Sequence, residues 1–172
     1  MIKLFVLNFI LIALIIFALI ILRKYIKTDK QKRILLIVAA ILTIVCHYSS
    51  LIYHGIKDQS AMSYLESNPN LILPIYPCNV VMWCCLILAF CKKESKVFKF
   101  LVDYIFLFGI VSALVGLFAN VDFIRNPSLA DYDITKGILA HAFMMFNVLL
   151  LPILGYFKLD LVKNMIHIGI SI

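Results

Sequence analysis

Hydrophobic residues run along the chain in five long blocks, and a short polar or charged segment separates each block from the next. Each block holds roughly the 20 apolar residues that an α-helix needs to cross ~30 Å of hydrocarbon. They predict five transmembrane helices, at residues 4–22, 34–53, 71–91, 100–119 and 134–157. We therefore predict an all-α fold, a polytopic membrane helix bundle that forms a single integral membrane domain over residues 1–172.

The charged residues between the blocks predict how the bundle is oriented. Basic residues crowd the segments after the first and third blocks, whereas the segments after the second and fourth blocks, residues 57–70 and 120–136, are slightly acidic. Loops rich in lysine and arginine remain on the cytoplasmic side of a membrane. This alternation predicts an N-terminus on the outside, and it fits five crossings at every turn.

The two ends of the chain need separate interpretation. The first block is too long for the apolar region of a signal peptide, and no small-x-small cleavage site follows it, so we expect a retained span. The tail, residues 159–172, is too short to cross a bilayer. Its polar residues share one helical face, which carries Asp160, Lys163 or Asn164, His167 and Ser171. We predict an amphipathic interfacial helix on the inner leaflet.

The composition excludes a soluble domain. Hydrophobic residues make up 64% of the chain and charged residues only 15%, which is typical of a multi-pass protein of the cell membrane. Much of the net charge of +7 lies in the two basic loops, so we expect the bilayer as a partner and no nucleic acid. The cysteines show no zinc-ligand spacing, and we predict neither a metal nor a cofactor.

Polar residues inside the second block mark the interior of the bundle. Thr43, His47, Ser50 and His54 recur at helical spacing on one side of this block. Lipid cannot satisfy such side chains, so the stripe is expected to face other helices. Small residues on one side of the fourth block, which favour close helix packing, are Gly109, Ser112, Ala113, Gly116 and Ala119.

The third block opens unusually, with two prolines and several polar side chains in residues 73–79. Proline lacks an N–H and blocks the carbonyl behind it, so we expect no regular helical turn at this point. Free backbone polar groups at membrane depth are tolerated only where protein or a water-filled cavity covers them. Cys78 and Asn79 are therefore candidate site residues.

A thiol and two imidazoles are predicted to lie at one depth. His47, Cys78 and His141 each fall about two turns below the outer end of their block, roughly 10 Å beneath the outer surface. Ionisable residues at such depth are rare and point to function. A thiolate with an imidazole base is the minimal equipment for covalent acyl transfer. The predicted catalytic residues are Cys78 and His141, and the predicted substrate-binding residues are His47, Asn79, Tyr76, Ser50 and His54.

Two short elements in this order resemble a known family. Leu73-Pro74-Ile75-Tyr76-Pro77-Cys78 opens one span, and Leu139-Ala140-His141 opens a span two further along. The chain from about residue 71 to 152 is similar in this respect to the YwaF-like integral membrane family, whose animal relatives include a transmembrane acyltransferase of ether lysophospholipids. The resemblance implies Cys78 as the nucleophile, His141 as its partner, and a phospholipid or lysophospholipid as substrate.

Three functions follow from these residues. The first is a membrane-embedded, cysteine-dependent lipid acyltransferase or transacylase with its Cys–His site near the outer leaflet. The second is a non-enzymatic binding module for a small hydrophobic ligand, or an accessory subunit with a membrane-protein partner, in which the thiol and imidazoles only pack or bridge helices. The third is thiol–disulfide exchange, for which Cys46 is the one rival cysteine near Cys78.

Overall fold

The structure, a computed structural model, describes residues 2–57, 61–71, 73–119, 123–124, 128–160, 164 and 166. Within these residues the chain forms α-helices, one short 3-10 helix and no strand, so the predicted all-α fold is confirmed. The helices are α1 (Ile2–Tyr25), α2 (Asp29–Lys57), α3 (Ala61–Ser67), α4 (Pro77–Phe90), α5 (Lys96–Phe118) and α6 (Tyr132–Ile153). The 3-10 helix is Pro69–Leu71.

Four helices, α1, α2, α5 and α6, are long and apolar enough to cross a membrane. They correspond to the first, second, fourth and fifth hydrophobic blocks. Helices α2 and α5 begin a few residues before their blocks, because polar residues that we assigned to loops continue the helix. At the start of α5, for example, the Ser95 hydroxyl accepts a hydrogen bond from the backbone N–H of Phe98 at 3.0 Å, which caps the first turn.

The third hydrophobic block forms a shorter helix than we predicted. Helix α4 has 14 residues and begins at Pro77, not at residue 71. Tyr76, in extended conformation, is its N-cap residue. Proline is well suited to the first position of a helix, where no N–H is needed, and it keeps the preceding residue out of the helical region. The first turn of α4 is therefore helical, and the irregular backbone lies before it.

The segment between α2 and α4 contains secondary structure that the sequence pattern did not predict. Helix α3 lies inside the polar segment 57–70, which we interpreted as a loop. The hydroxyl of Tyr64, in α3, donates a hydrogen bond to Asp133 Oδ1 of α6 at 3.3 Å. Helix α3 thus covers one end of the bundle, and a contact with α6 fixes it there.

Glycines set the packing of α4, α5 and α6. A Cβ at Gly109 of α5 would meet Val81 of α4 at 3.1 Å and Val148 of α6 at 2.5 Å. Seven residues further along α5, a Cβ at Gly116 would overlap the ring of His141, which stands seven residues before Val148. The equal spacing shows that α5 and α6 run antiparallel in fixed register. Of the small residues predicted to form a packing face, Gly109, Ala113 and Gly116 are buried, whereas Ser112 is half-buried and Ala119 is exposed.

Helix α1 packs against α5 and α6 through one polar contact and several aromatic ones. The Asn8 amide is buried and donates a hydrogen bond to the Leu117 carbonyl at 2.5 Å. Near it, the Phe9 ring packs on Phe118 at an interplanar angle of 47°, with ring centroids 4.9 Å apart. The start of α1 therefore lies beside the end of α5.

The bundle has two chemically different ends. At the first, which we call the basic end, the α1–α2 and α4–α5 connections meet: Arg33 donates to the Cys91 carbonyl, and Lys93 Nζ lies 3.5 Å from Asp29. The Tyr156 ring lies below Lys93, whose Nζ is 5.7 Å from the ring centroid. The opposite end, with the start of α4 and α6 and the end of α2, is the polar end.

The tail carries the one prediction that falls mostly outside the described residues. Of the predicted interfacial helix 159–172, residues 159, 160, 164 and 166 are described. Asn164 is buried, and its amide donates to Asp103 Oδ1 of α5 at 2.7 Å. Before the tail, α6 ends soon after Pro152, and Gly155 turns the chain with a φ of 77°, a conformation that glycine adopts without strain.

Candidate functional site

Cys78 lies at the polar end, in the first turn of α4. Its side chain is half-buried and packs against the main hydrophobic core. The thiol donates a hydrogen bond to Asn79 Oδ1 over 3.6 Å, and the backbone N–H groups of Asn79 and of Cys78 itself face the sulfur. The Asn79 N–H also donates to the carbonyl of the N-cap residue Tyr76 at 2.9 Å, whereas the Cys78 N–H, in the first turn, has no acceptor inside its own helix. The sulfur therefore lies among polar donors, in a helix that is otherwise apolar.

His141 lies on α6 with its ring against α5. Its Nδ1 is 2.8 Å from the carbonyl oxygen of Gly137. A carbonyl only accepts hydrogen bonds, so Nδ1 carries the proton and Nε2 of the neutral ring keeps a lone pair. A Cβ at Gly116 would overlap Nε2 and its neighbouring carbon. The glycine thus makes room for the nitrogen that is able to accept a proton.

Cys78 and His141 make separate hydrogen bonds. Within the described part of the chain the thiol bonds to Asn79 and the imidazole bonds to Gly137, and they do not bond to each other. Val81 of α4 and Val148 of α6 both lie beside Gly109 of α5, so the three residues mark one level of the bundle. Cys78 stands three residues before Val81, and His141 stands seven residues before Val148. At ~1.5 Å per residue the two levels differ by about 6 Å along the bundle. Cys78 and His141 both lie between the level of Gly109 and the polar end of the bundle.

His47, on α2, stands near His141. The ring of His47 contacts Tyr48 edge-on, with centroids 5.0 Å apart. Its Nε2 is buried and has no hydrogen-bond partner among the described residues. Lys136 and His141 are both close enough to act electrostatically on its charge. His47 therefore links α2 to the polar groups of α6, and its buried nitrogen is open to a hydrogen bond.

Lys136 is the residue that sequence reasoning missed. We grouped it with the acidic segment 120–136, although it also stands two residues inside the predicted span 134–157. It lies in the second turn of α6, where its carbonyl accepts a weak hydrogen bond from Cys46 Sγ at 3.7 Å. Its side chain is half-buried. Its overlap with a predicted span was the signal that could have identified it.

His54 and Ser50, two predicted substrate-binding residues, bond within the protein. His54 Nε2 lies 2.9 Å from Asp133 Oδ2, and its ring stacks on Tyr64 at 4.0 Å. Burial first, and then the charge of Asp133, raise the pKa of the Tyr64 hydroxyl. Ser50 is fully buried and donates to the His47 carbonyl at 3.3 Å. These contacts tie α2, α3 and α6 together at the polar end.

The remaining predicted binding residues, Asn79 and Tyr76, differ in exposure. Asn79 is buried beside Cys78, where its amide oxygen accepts from the thiol. Tyr76 is 56% exposed, and its side chain makes no capping hydrogen bond to α4. Asn79 is therefore positioned to act with the thiol, whereas Tyr76 lies at the rim.

A deeper polar contact joins α2 to α6. Asn147 donates from Nδ2 to Thr43 Oγ1 at 2.8 Å and to the Ala39 carbonyl at 3.1 Å. Thr43 is buried, as the predicted polar stripe requires. Among the described residues, no group of three or more His, Cys, Asp or Glu side chains is arranged to hold a metal ion.

An apolar cavity of about 360 Å³ lies between α1, α2 and α6. Its walls are aliphatic and aromatic, and its lining residues are Leu11, Leu14, Ile15, Ala18, Leu35, Val38, Ala39, Leu42, Leu139, Ala142, Phe143 and Phe146. A cavity of this kind between helices is typical of sites for hydrophobic ligands.

The fold and these sites define a helical membrane protein with several apolar helices and polar groups gathered at one end. Comparison with known proteins assigns it further. The family model of the TMEM164 family, a family of membrane proteins, matches residues 2–171, so the chain belongs to that family. Neither a curated protein nor a solved structure gives a significant match.

Proposed function

We propose that this protein is a membrane-embedded lipid acyltransferase or transacylase, with Cys78 as nucleophile and His141 as base. One observation carries the proposal: a half-buried thiol and an imidazole whose Nε2 is free to accept a proton lie at the same end of the bundle. The backbone N–H of Cys78 beside the sulfur is a donor of the kind that stabilises an oxyanion. The proposed relation to the YwaF-like family, through the Pro-rich element before Cys78, agrees with this chemistry.

The proposed reaction has two balanced steps. In the first, Cys78 Sγ attacks the ester carbonyl of a phospholipid, and the thiol proton passes through His141 Nε2 to the glycerol oxygen as the C–O bond breaks. The products are a lysophospholipid and a thioester. In the second, the hydroxyl of an acceptor lysophospholipid attacks the thioester and transfers its proton to His141, which returns it to the departing sulfur. No net charge or electron is gained.

The same proposal includes the arrangement in the membrane. Helix α4, 14 residues long, spans about 21 Å at ~1.5 Å per residue, less than the hydrocarbon thickness. The non-helical residues 73–76 precede it, and because the Ile75 N–H closes a tight turn on the Leu73 carbonyl at 2.8 Å, they add less than the ~3.3 Å each of an extended chain; in this proposal they complete a fifth crossing. With the positive-inside rule applied to the basic end, the N-terminus and the site face outward in the cell membrane.

The test is acyl transfer by the full chain reconstituted in lipid vesicles with a labelled diacyl phospholipid and an ether lysophospholipid acceptor. Cys78→Ala is expected to abolish acyl transfer. It should also abolish the labelled acyl group bound to the protein as a thioester, which hydroxylamine releases. His141→Ala is expected to slow transfer about 10²–10⁴-fold. Cys84→Ala is the matched control, because Cys84 is also a half-buried thiol of α4. The proposal would be overturned if Cys78→Ala still transferred acyl chains and carried as much labelled acyl group as the wild-type protein.

A second candidate function is a non-enzymatic module that binds a hydrophobic ligand, alone or with a membrane-protein partner. The apolar cavity between α1, α2 and α6 supports it. The two functions differ in their dependence on the thiol. If Cys78→Ala binds lipid normally and wild-type protein forms no thioester, the binding module is the better description.

A further inference from the structure

The apolar cavity leads toward two polar residues. On α6, Lys136 stands three residues before Leu139 and seven before Phe143, which line the cavity. Residues at these spacings share one face of a helix. On α2, Cys46 stands one turn beyond the lining residue Leu42, and its sulfur contacts the Lys136 carbonyl. Both walls therefore continue, at the polar end, into the neighbourhood of Lys136.

Lys136 makes no direct ion pair with any described residue, although the Asp133 carboxylate acts on its charge from a longer distance. In the parts of the chain that the structure describes, no carboxylate lies within 4 Å of its Nζ. The nearest acid along α6, Asp133, has one oxygen bonded to His54 and the other to Tyr64. An ammonium group at the edge of a membrane span is costly without an anion beside it.

His47 provides a second unsatisfied group at the same place. Its buried Nε2 makes no hydrogen bond to any described residue, and leaving a buried polar atom in this state is unfavourable. Lys136 acts electrostatically on His47, so the two side chains are close. A cation and a buried imidazole about one helical turn beyond the lining residues of an apolar cavity match a ligand that has an anionic head and a hydrocarbon tail.

We propose that this cavity is the binding site of a single-chain phospholipid. The acyl chain fills the space between α1, α2 and α6, and the phosphate contacts Lys136 Nζ and His47 Nε2. The volume of about 360 Å³ is near the lower limit for ligand pockets, which favours one chain over two. Binding needs no catalysis, but the role of the ligand as acyl acceptor rests on the function proposed above.

Binding of three probes to the purified full chain tests the site: lysophosphatidic acid, a monoacylglycerol with the same chain, and inorganic phosphate. Lys136→Gln is expected to weaken lysophosphatidic acid binding about tenfold or more, the range for a lost charge-assisted hydrogen bond, and to leave monoacylglycerol binding unchanged. Leu139→Trp, which fills the cavity, weakens both lipids. Lys57→Gln and Ile52→Trp, matched changes on exposed parts of α2 outside the cavity, change neither.

Two further measurements guard against a variant that does not fold. Lys136→Arg keeps the charge and is expected to keep binding. A lysophospholipid with a photoreactive acyl chain, used with the wild-type protein, is expected to label peptides of α1, α2 and α6 that contain Leu14, Leu42 or Phe143. Equal lysophosphatidic acid binding by wild type and Lys136→Gln overturns the assignment, as does labelling confined to α4 and α5, or phosphate binding as tight as that of the lipid.

The outcomes separate this inference from the proposed acyl transfer. If Cys78→Ala still transfers acyl chains while lipid binding depends on Lys136, the nucleophile is wrong and the binding site stands. If Cys78→Ala abolishes transfer while Lys136→Gln leaves binding unchanged, the enzyme stands and the binding site is wrong.

Discussion

Substitution of Gly116 by alanine tests the position of His141 directly. A methyl group at this glycine would occupy the space of the imidazole ring, so the ring must leave its place and lose its bond to Gly137. Overpacking costs about 1–3 kcal/mol and the lost hydrogen bond about 0.5–1.5 kcal/mol. A loss of about 3 kcal/mol corresponds to a Tm lower by roughly 6–12 °C for a chain of this length.

A double-mutant cycle shows whether the effect comes from the ring. In the background of His141→Ala the added methyl group has space, so Gly116→Ala is expected to cost little there, and the two changes are non-additive. Gly109→Ala is the matched control: its methyl group would meet Val148 at 2.5 Å, so Val148→Ala relieves it and His141→Ala does not. Thermal unfolding of the purified variants in one detergent gives all the values.

The cycle also has a clear contrary result. If Gly116→Ala unfolds at the wild-type temperature, or if Val148→Ala rescues it as well as His141→Ala does, then α5 and α6 do not pack in the register described. If the register holds and His141 is the base, the same Gly116→Ala variant also loses acyl transfer, since its imidazole is displaced.

Three further predictions concern other contacts. Asn147→Leu removes the amide that bonds to α2 and should lower stability by about 0.5–2 kcal/mol in thermal unfolding, and an unchanged Tm would contradict this role. Because burial and Asp133 raise the pKa of Tyr64, the stability from its neutral hydroxyl is present below about pH 10 and is lost as the pH rises through the raised value. Tyr64→Phe should reduce the alkaline loss of stability in unfolding scans that extend above about pH 10, and a pH profile identical to that of the wild type would contradict this. In a cysteine-free background, Met62→Cys and Lys93→Cys should react with a membrane-impermeant maleimide from opposite sides, and labelling from one side would exclude a crossing by α4.

Hydropathy alone was sufficient to predict four of the helices. The apolar runs of α1, α2, α5 and α6 are bounded by charged residues, so their places follow from the cost of burying charge in lipid. The start of α4 was predicted six residues early, because an apolar pattern does not show the tight turn from Leu73 to Ile75 around Pro74 or the extended Tyr76 before Pro77. Helix α3 was missed since its stability comes from Tyr64, Asp133 and His54, contacts between distant parts of the chain.

The candidate site was harder to predict for a related reason. Periodicity indicates which side of a helix is polar, but not which neighbour that side meets. The pattern placed Gly116 on a packing face and His141 in the outer third of its span, yet only the packed bundle brings them into contact. In the same way, the position of Lys136 beside His47 and Cys46 depends on how α2 and α6 are rotated against each other.

The distribution of buried polar side chains along the bundle supports a functional site at the polar end rather than at the basic end. Between Asn147 and the basic end, the buried core is mostly aliphatic, aromatic and sulfur-containing, and its one described buried amide, that of Asn164, bonds to Asp103. On the other side of Asn147 the spans carry His47, Lys136 and His141, none of which lipid can solvate. A bundle that needed only to pack would be more stable with apolar residues there. The lining of the apolar cavity ends near this level too, which supports the proposal that an acyl chain lies in the cavity with its polar head beside these groups.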